Sequence, residues 1–237
     1  MRVENLLVLS SLLIVAGSAS TQSAAADSPN SATAISAAES KALVAVYNQA
    51  GISQKTVLKA EKITSIVFRD AGLQIEWVNC DTLHQTELDA RCSHLSSRAR
   101  FELHILRKSQ DISPAILGLA FVPEAGTGRH ADLFYDSVVR MQAESSVDAA
   151  TILGHVAAHE LGHLLIGKEH SRTGLMRANW TREDLGDASR GLLLFSSEES
   201  RALQRGLALA DAQELPSAHS DSVAVEDGFD WEACCSI

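Results

Sequence analysis

Within this 237-residue chain, the run His159-Glu160-Leu161-Gly162-His163 has the residue types and spacing of a metal-assisted hydrolytic site. Residues four apart share one face of a helix, so His159 and His163 can offer both imidazoles to one cation at about 2.0–2.1 Å, the zinc–nitrogen distance. Glu160 stands beside them, where a carboxylate can take a proton from a water that the cation acidifies and return it to a leaving amine. The implied chemistry is hydrolysis, with Glu160 as general base and then general acid.

The chain continues Leu164-Leu165-Ile166-Gly167-Lys168-Glu169-His170. A glycine breaks the helix, and a backbone reversal at Gly167 can bring His170 back as a third ligand. Three protein ligands leave one position open for water and substrate, the catalytic form of a zinc site. Thr173-Gly174-Leu175-Met176 follows as a glycine turn ending in methionine. Met176 also has a plainer reading as a gap-filling core residue.

Other titratable residues have ordinary readings beside the sharp one. His155 lies one turn before His159 and reads as a packing histidine. Glu198 or Glu199 could replace His170 as third ligand, but Ser196-Ser197-Glu198-Glu199 is a capping-box pattern that explains both. Asp136 and Asp148 read as surface or capping residues. Trp180 reads as core, and His84, His94, His104, His130 and His219 lack metal-ligand spacing along the chain.

The motif needs a helix, and Val147 to about Ile166 supplies one that stops at Gly167. Upstream, Ser53 can cap a helix with apolar residues Val57, Ala60, Ile63, Val67 and Ala71 at three- and four-residue steps, closed by Gly72. Strands are predicted over Leu73–Val78, Phe101–Leu106, Ile116–Val122 and Ala131–Val139. The loop Pro123–Arg129 contains Gly126-Thr127-Gly128 but lacks a phosphate-binding glycine pattern. A last helix spans Ser196–Ala210. The expectation is an α+β fold, a small mixed sheet packed on helices, with the catalytic domain over 41–210 and ordered structure beginning near Glu39.

With these elements in order, the sequence resembles the metzincin clan of zinc metallopeptidases, whose pattern is H-E-x-x-H-x-x-G-x-x-H followed by a methionine-bearing turn. His159, Glu160, His163, Gly167, His170 and Met176 match, with Gly167 and His170 each one residue late. The similarity outside 155–180 is one of element order. The resemblance implies Zn²⁺ on His159, His163 and His170, with a protein or peptide as substrate. It further implies that the strand at Ala131–Val139 is the edge that pairs with substrate, and that Arg177–Trp180 walls the pocket. A non-catalytic zinc module on the same scaffold is the alternative, against which the intact Glu160 argues.

Composition sets the surroundings. Lys and Arg total 20 against 30 Asp and Glu, a formal charge of -10, which excludes a role built on attraction to nucleic acid or anionic lipid. Arg2, the 12-residue apolar run Leu6–Gly17 and the small residues after it form a signal-peptide pattern over residues 1–20. That run is short of the roughly 20 residues a spanning helix needs, although an uncleaved N-terminal anchor is the alternative. The chain is thus expected to be secreted or periplasmic, without membrane insertion once the signal is removed. Residues 21–40 read as a flexible lead-in and 211–237 as an acidic tail. Of the cysteines, Cys80 and Cys92 bracket a polar stretch suited to a disulfide loop, with Cys234 and Cys235 in the tail.

Overall fold

The computed structural model describes residues 41–80, 100–108, 113, 115–124 and 127–214. The expected signal segment, the lead-in, His84, Cys92, His94, His219, Cys234 and Cys235 lie outside them.

An apolar run at the start of the described residues forms β1 (Lys41–Tyr47), which the sequence reading did not assign. Val44 and Ala45 are both fully buried, because β1 lies inside the sheet with a strand on either side. Ser53 accepts a hydrogen bond from the Thr56 amide and starts α1 (Gln54–Asp70), and the chain turns through Gly72 into β2 (Gln74–Cys80). Then come β3 (Phe101–Leu106), β4 (Gly118–Phe121) and β5 (His130–Phe134).

The strand expected over Ala131–Val139 ends at Phe134, and Tyr135 opens α2 (Tyr135–Ser145). Val138 and Met141, three apart, face the core from α2, a helical step that the short alternating run before them conceals. Next are α3 (Ala149–Ile166), α4 (Arg182–Arg190) and α5 (Ser197–Glu214). Helix α4 was not anticipated, although Thr181 and Asp184 make a reciprocal capping box and Gly191 closes it in the left-handed region. Helix α5 runs to Glu214, so the first residues assigned to the acidic tail are helical.

Among the described residues five strands order β2-β1-β3-β5-β4, with β4 antiparallel to β5 and the other pairs parallel. The fold is α+β, as expected. Strand β5 is interior and β4 is an edge, which corrects the expectation that the segment beginning at Ala131 forms the edge strand.

One sheet face, with Val44, Val46, Phe101, Leu103, Ile105, Ala131 and Leu133, packs into the main core with α1 and α3. Sixteen of the eighteen residues of α3 are buried. A helix apolar on all sides is a core helix, so polar residues on it are either internally satisfied or functional. On the other face Ala45 and Cys80 form a small separate cluster with Leu43, Tyr47 and Val78. No helix among the described residues is long and apolar enough to cross a membrane.

Candidate metal centre

Helix α3 holds His159, Glu160 and His163 with no solvent exposure at any of them. The His159 Nδ1–H donates to the Leu175 carbonyl at 2.7 Å, and the His163 Nδ1–H to the Gly167 carbonyl at 2.8 Å. The tautomers follow, since only an N–H can bond a carbonyl. Both Nε2 atoms are left with lone pairs, and they face each other at 2.9 Å. That approach is repulsive unless a proton or a cation lies between them. His170 adds a third nitrogen, as its Nε2 is buried without a partner. One ligand atom from each of the three histidines lies within 4.8 Å of the other two. Three imidazoles, two of them with Nδ1 tied back to a carbonyl, are a fitting donor set for zinc.

The chain reaches this arrangement through Gly167, at φ 98° and ψ -179°, a backbone region essentially reserved for glycine. It ends α3 and turns the chain so that His170 comes back over the helix. The turn after it is held by the Ser171 amide donating to the Met176 carbonyl at 2.8 Å. Met176 is fully buried, and its Sδ lies 2.8 Å from where a Cβ on Gly162 would sit. Gly162 thus leaves room for the methionine floor of the site. The Leu175 carbonyl that orients His159 also accepts from Trp180 Nε1 at 3.1 Å, and the Trp180 ring stands edge-on to His159 at 6.1 Å. Trp180 is both packed on the core and part of the site's surround.

Burial sets the electrostatics. It holds His159 well below its ordinary value, with His163 adding to the effect. It brings His163 down to about 4 and lowers His170 as well. All three are therefore neutral near pH 7, the form that binds metal. Burial raises the Glu160 carboxyl well above the usual range, against a smaller downward pull from the Ala120 backbone amide. A cation beside the imidazoles would favour the carboxylate. The Glu160 carboxyl is pressed against β4: a Cβ on Gly118 would sit 2.5 Å from its Oε1. Glu160 thus lies between the histidines and the edge strand.

The remaining residues resolve by contact. Glu199 accepts from the Ser196 amide at 2.7 Å and from the Ser171 hydroxyl, so it caps α5 and ties down the turn after His170. Asp148 caps α3 through the Thr151 amide and pairs with Lys59. Asp136 lies in the first turn of α2. His155 donates Nδ1–H to the Thr151 carbonyl and packs near Trp180, as a packing histidine should. Gly118 and the Leu175 carbonyl had no sequence signal, because each matters through a partner distant in the chain. His104 and His130, which lack ligand spacing along the chain, are brought together with Glu102 by the β3–β5 pairing.

No protein-family model and no curated protein sequence matches the chain. Among solved structures it is similar to archaemetzincin from Methanopyrus kandleri, with a TM-score of 0.48 and 17% identity over 71% of this chain and 97% of that one. It is also similar to metalloproteinase-II from Bacteroides fragilis, with a TM-score of 0.42 and 11% identity over 71% of this chain and 54% of that one. What the site can do is therefore read from its own residues.

Proposed function

We propose that this chain is a secreted zinc-dependent metalloendopeptidase. The observation that carries the reading is the pair of His159 and His163 Nε2 lone pairs facing each other at 2.9 Å, with His170 Nε2 unpartnered nearby and Glu160 buried beside them. His159, His163 and His170 would hold Zn²⁺, which when bound polarises a peptide carbonyl and acidifies water. Glu160 takes the proton of the attacking water on a carboxylate oxygen and delivers it to the leaving amide nitrogen. An extended peptide aligns along β4, the edge strand against which Glu160 is packed. Trp180 and the turn at Met176 fix the wall and floor of the site. Secretion rests on the signal-peptide pattern of residues 1–20.

The test is turnover of a mixed peptide library with zinc content measured in parallel. The wild type should cleave, and a chelator should abolish cleavage. Glu160→Gln should retain about one zinc at this site and lose roughly 10²–10⁴-fold in rate, the usual worth of a general base. Full activity in Glu160→Gln, or a well-folded wild type that binds zinc at these histidines without cleaving, would overturn the reading in favour of a non-catalytic module.

A further inference from the structure

Side chains two apart on a strand share a face, so Glu102 and His104 of β3 project together, as do His130 and Asp132 of β5. The parallel pairing sets Glu102 opposite His130 and His104 opposite Asp132. Four polar side chains thus form a square on the sheet face turned away from α1 and α3. One ligand atom from each of Glu102, His104 and His130 lies within 4.8 Å of the other two. The His104 and His130 rings are 4.4 Å apart at 61°.

Their hydrogen bonds are incomplete in a specific way. His130 Nε2 lies 2.9 Å from Asp132 Oδ1; donating its proton there leaves the Nδ1 lone pair as an acceptor. His104 Nε2 is buried and has no partner. Tyr47 and Phe121 flank the two rings at 4.6 and 5.0 Å, which gives the histidines a plain reading as part of an aromatic row. Stacking does not satisfy a buried ring nitrogen, however, and it does not account for Glu102 in the same square. A cation does both.

We propose that Glu102, His104 and His130 bind a second divalent transition-metal cation, with Asp132 orienting His130. Two imidazoles and one carboxylate suit zinc, and the carboxylate–histidine arrangement at Asp132 is the usual outer support of such a ligand. Tetrahedral binding at about 2.0–2.2 Å places donor atoms roughly 3.3–3.6 Å apart, so a bound cation would draw the three atoms together from within 4.8 Å. The site shares no residue with His159, His163 and His170 and does not depend on peptidase activity. Its effect is to staple β3 to β5, the strand on which the edge strand β4 is laid.

Native mass spectrometry of the full mature chain, equilibrated with micromolar free Zn²⁺, tests this directly. The wild type should carry two zinc ions and His163→Ala one. His130→Ala should also carry one, and combining it with His163→Ala should leave none. Asp132→Asn should weaken the second zinc by about 10–100-fold without removing it. Should His130→Ala fail to fold, Glu102→Gln keeps the side chain's size and should still drop the count to one. Zinc should raise the melting temperature of His163→Ala, and Glu102→Gln should abolish that increment. A single zinc in the wild type with the count unchanged in Glu102→Gln and His130→Ala, or a second zinc held only at millimolar concentration, overturns the proposal.

Discussion

His159 and His163 are oriented by carbonyls, those of Leu175 and Gly167, so each imidazole has its tautomer fixed before any metal arrives. Because burial holds all three histidines below 6.5, protons compete for the ligand nitrogens only at low pH. Zinc at this centre should thus survive dialysis at pH 6 and leave as the pH falls through about 4, where His163 takes up a proton, as read by metal analysis of the His130→Ala variant to isolate this site. Gly118 sets how closely β4 approaches the Glu160 carboxyl. A methyl there would overlap the Glu160 carboxyl, displacing the base by a fraction of an ångström to an ångström. Gly118→Ala should cut turnover on the order of 10²-fold with the zinc at the histidines retained, measured as kcat/KM alongside zinc content. Unchanged kinetics would mean that Glu160 has room to move without losing its function.

At the scale of elements, α3 joins two kinds of information. Its H-E-x-x-H spacing is local and was legible, as were its stop at Gly167 and the caps at Ser53 and Ser196. The strand predicted at Ala131–Val139 failed because Tyr135 starts a helix whose core-facing residues are too few to outweigh the alternating run before them. Strand β1 was missed because a continuous apolar run, following a Ser/Ala-rich lead-in, has no period of its own; its burial comes from neighbours on both sides. Gly167→Ala forces a side chain into a conformation near φ 98°, at a cost of about 1–3 kcal/mol, and shifts the carbonyl that orients His163. Both a lower urea midpoint and zinc binding weakened by about 10–100-fold are expected. Loss of stability alone would separate the turn's structural role from its role toward the metal.

For the whole molecule, the main core lies between one sheet face and the helices α1 and α3, and it contains an ionisable group the site does not use. Glu61 of α1 is buried, and burial pushes its carboxyl up to about 7, opposed by a hydrogen bond with Asn79. A carboxyl raised in the folded state favours folding while it is protonated. That contribution is fully present below 4.5, the unfolded value, and is lost as the pH rises through about 7. Glu61→Gln should therefore gain stability over the wild type at pH 8 and lose that advantage at pH 4.5, read from urea unfolding at both. A difference independent of pH would show that Glu61 is ionised or equally solvated in both states.

Residues a few positions apart were enough to predict the shared face of His159 and His163 on α3, the helix caps, the break at Gly167 and most strand segments. Hydrogen bonding and side-chain direction within one helix or strand are set by residues three, four or two apart, so spacing suffices there. The folded arrangement was needed to show that β4 rather than β5 is the edge, that Glu160 is packed against Gly118, and that Leu175 orients His159. It alone placed Glu102, His104 and His130 in one square. Those contacts depend on which strands pair and in what register, and strand order is fixed by burying the whole apolar surface at once rather than by any local period.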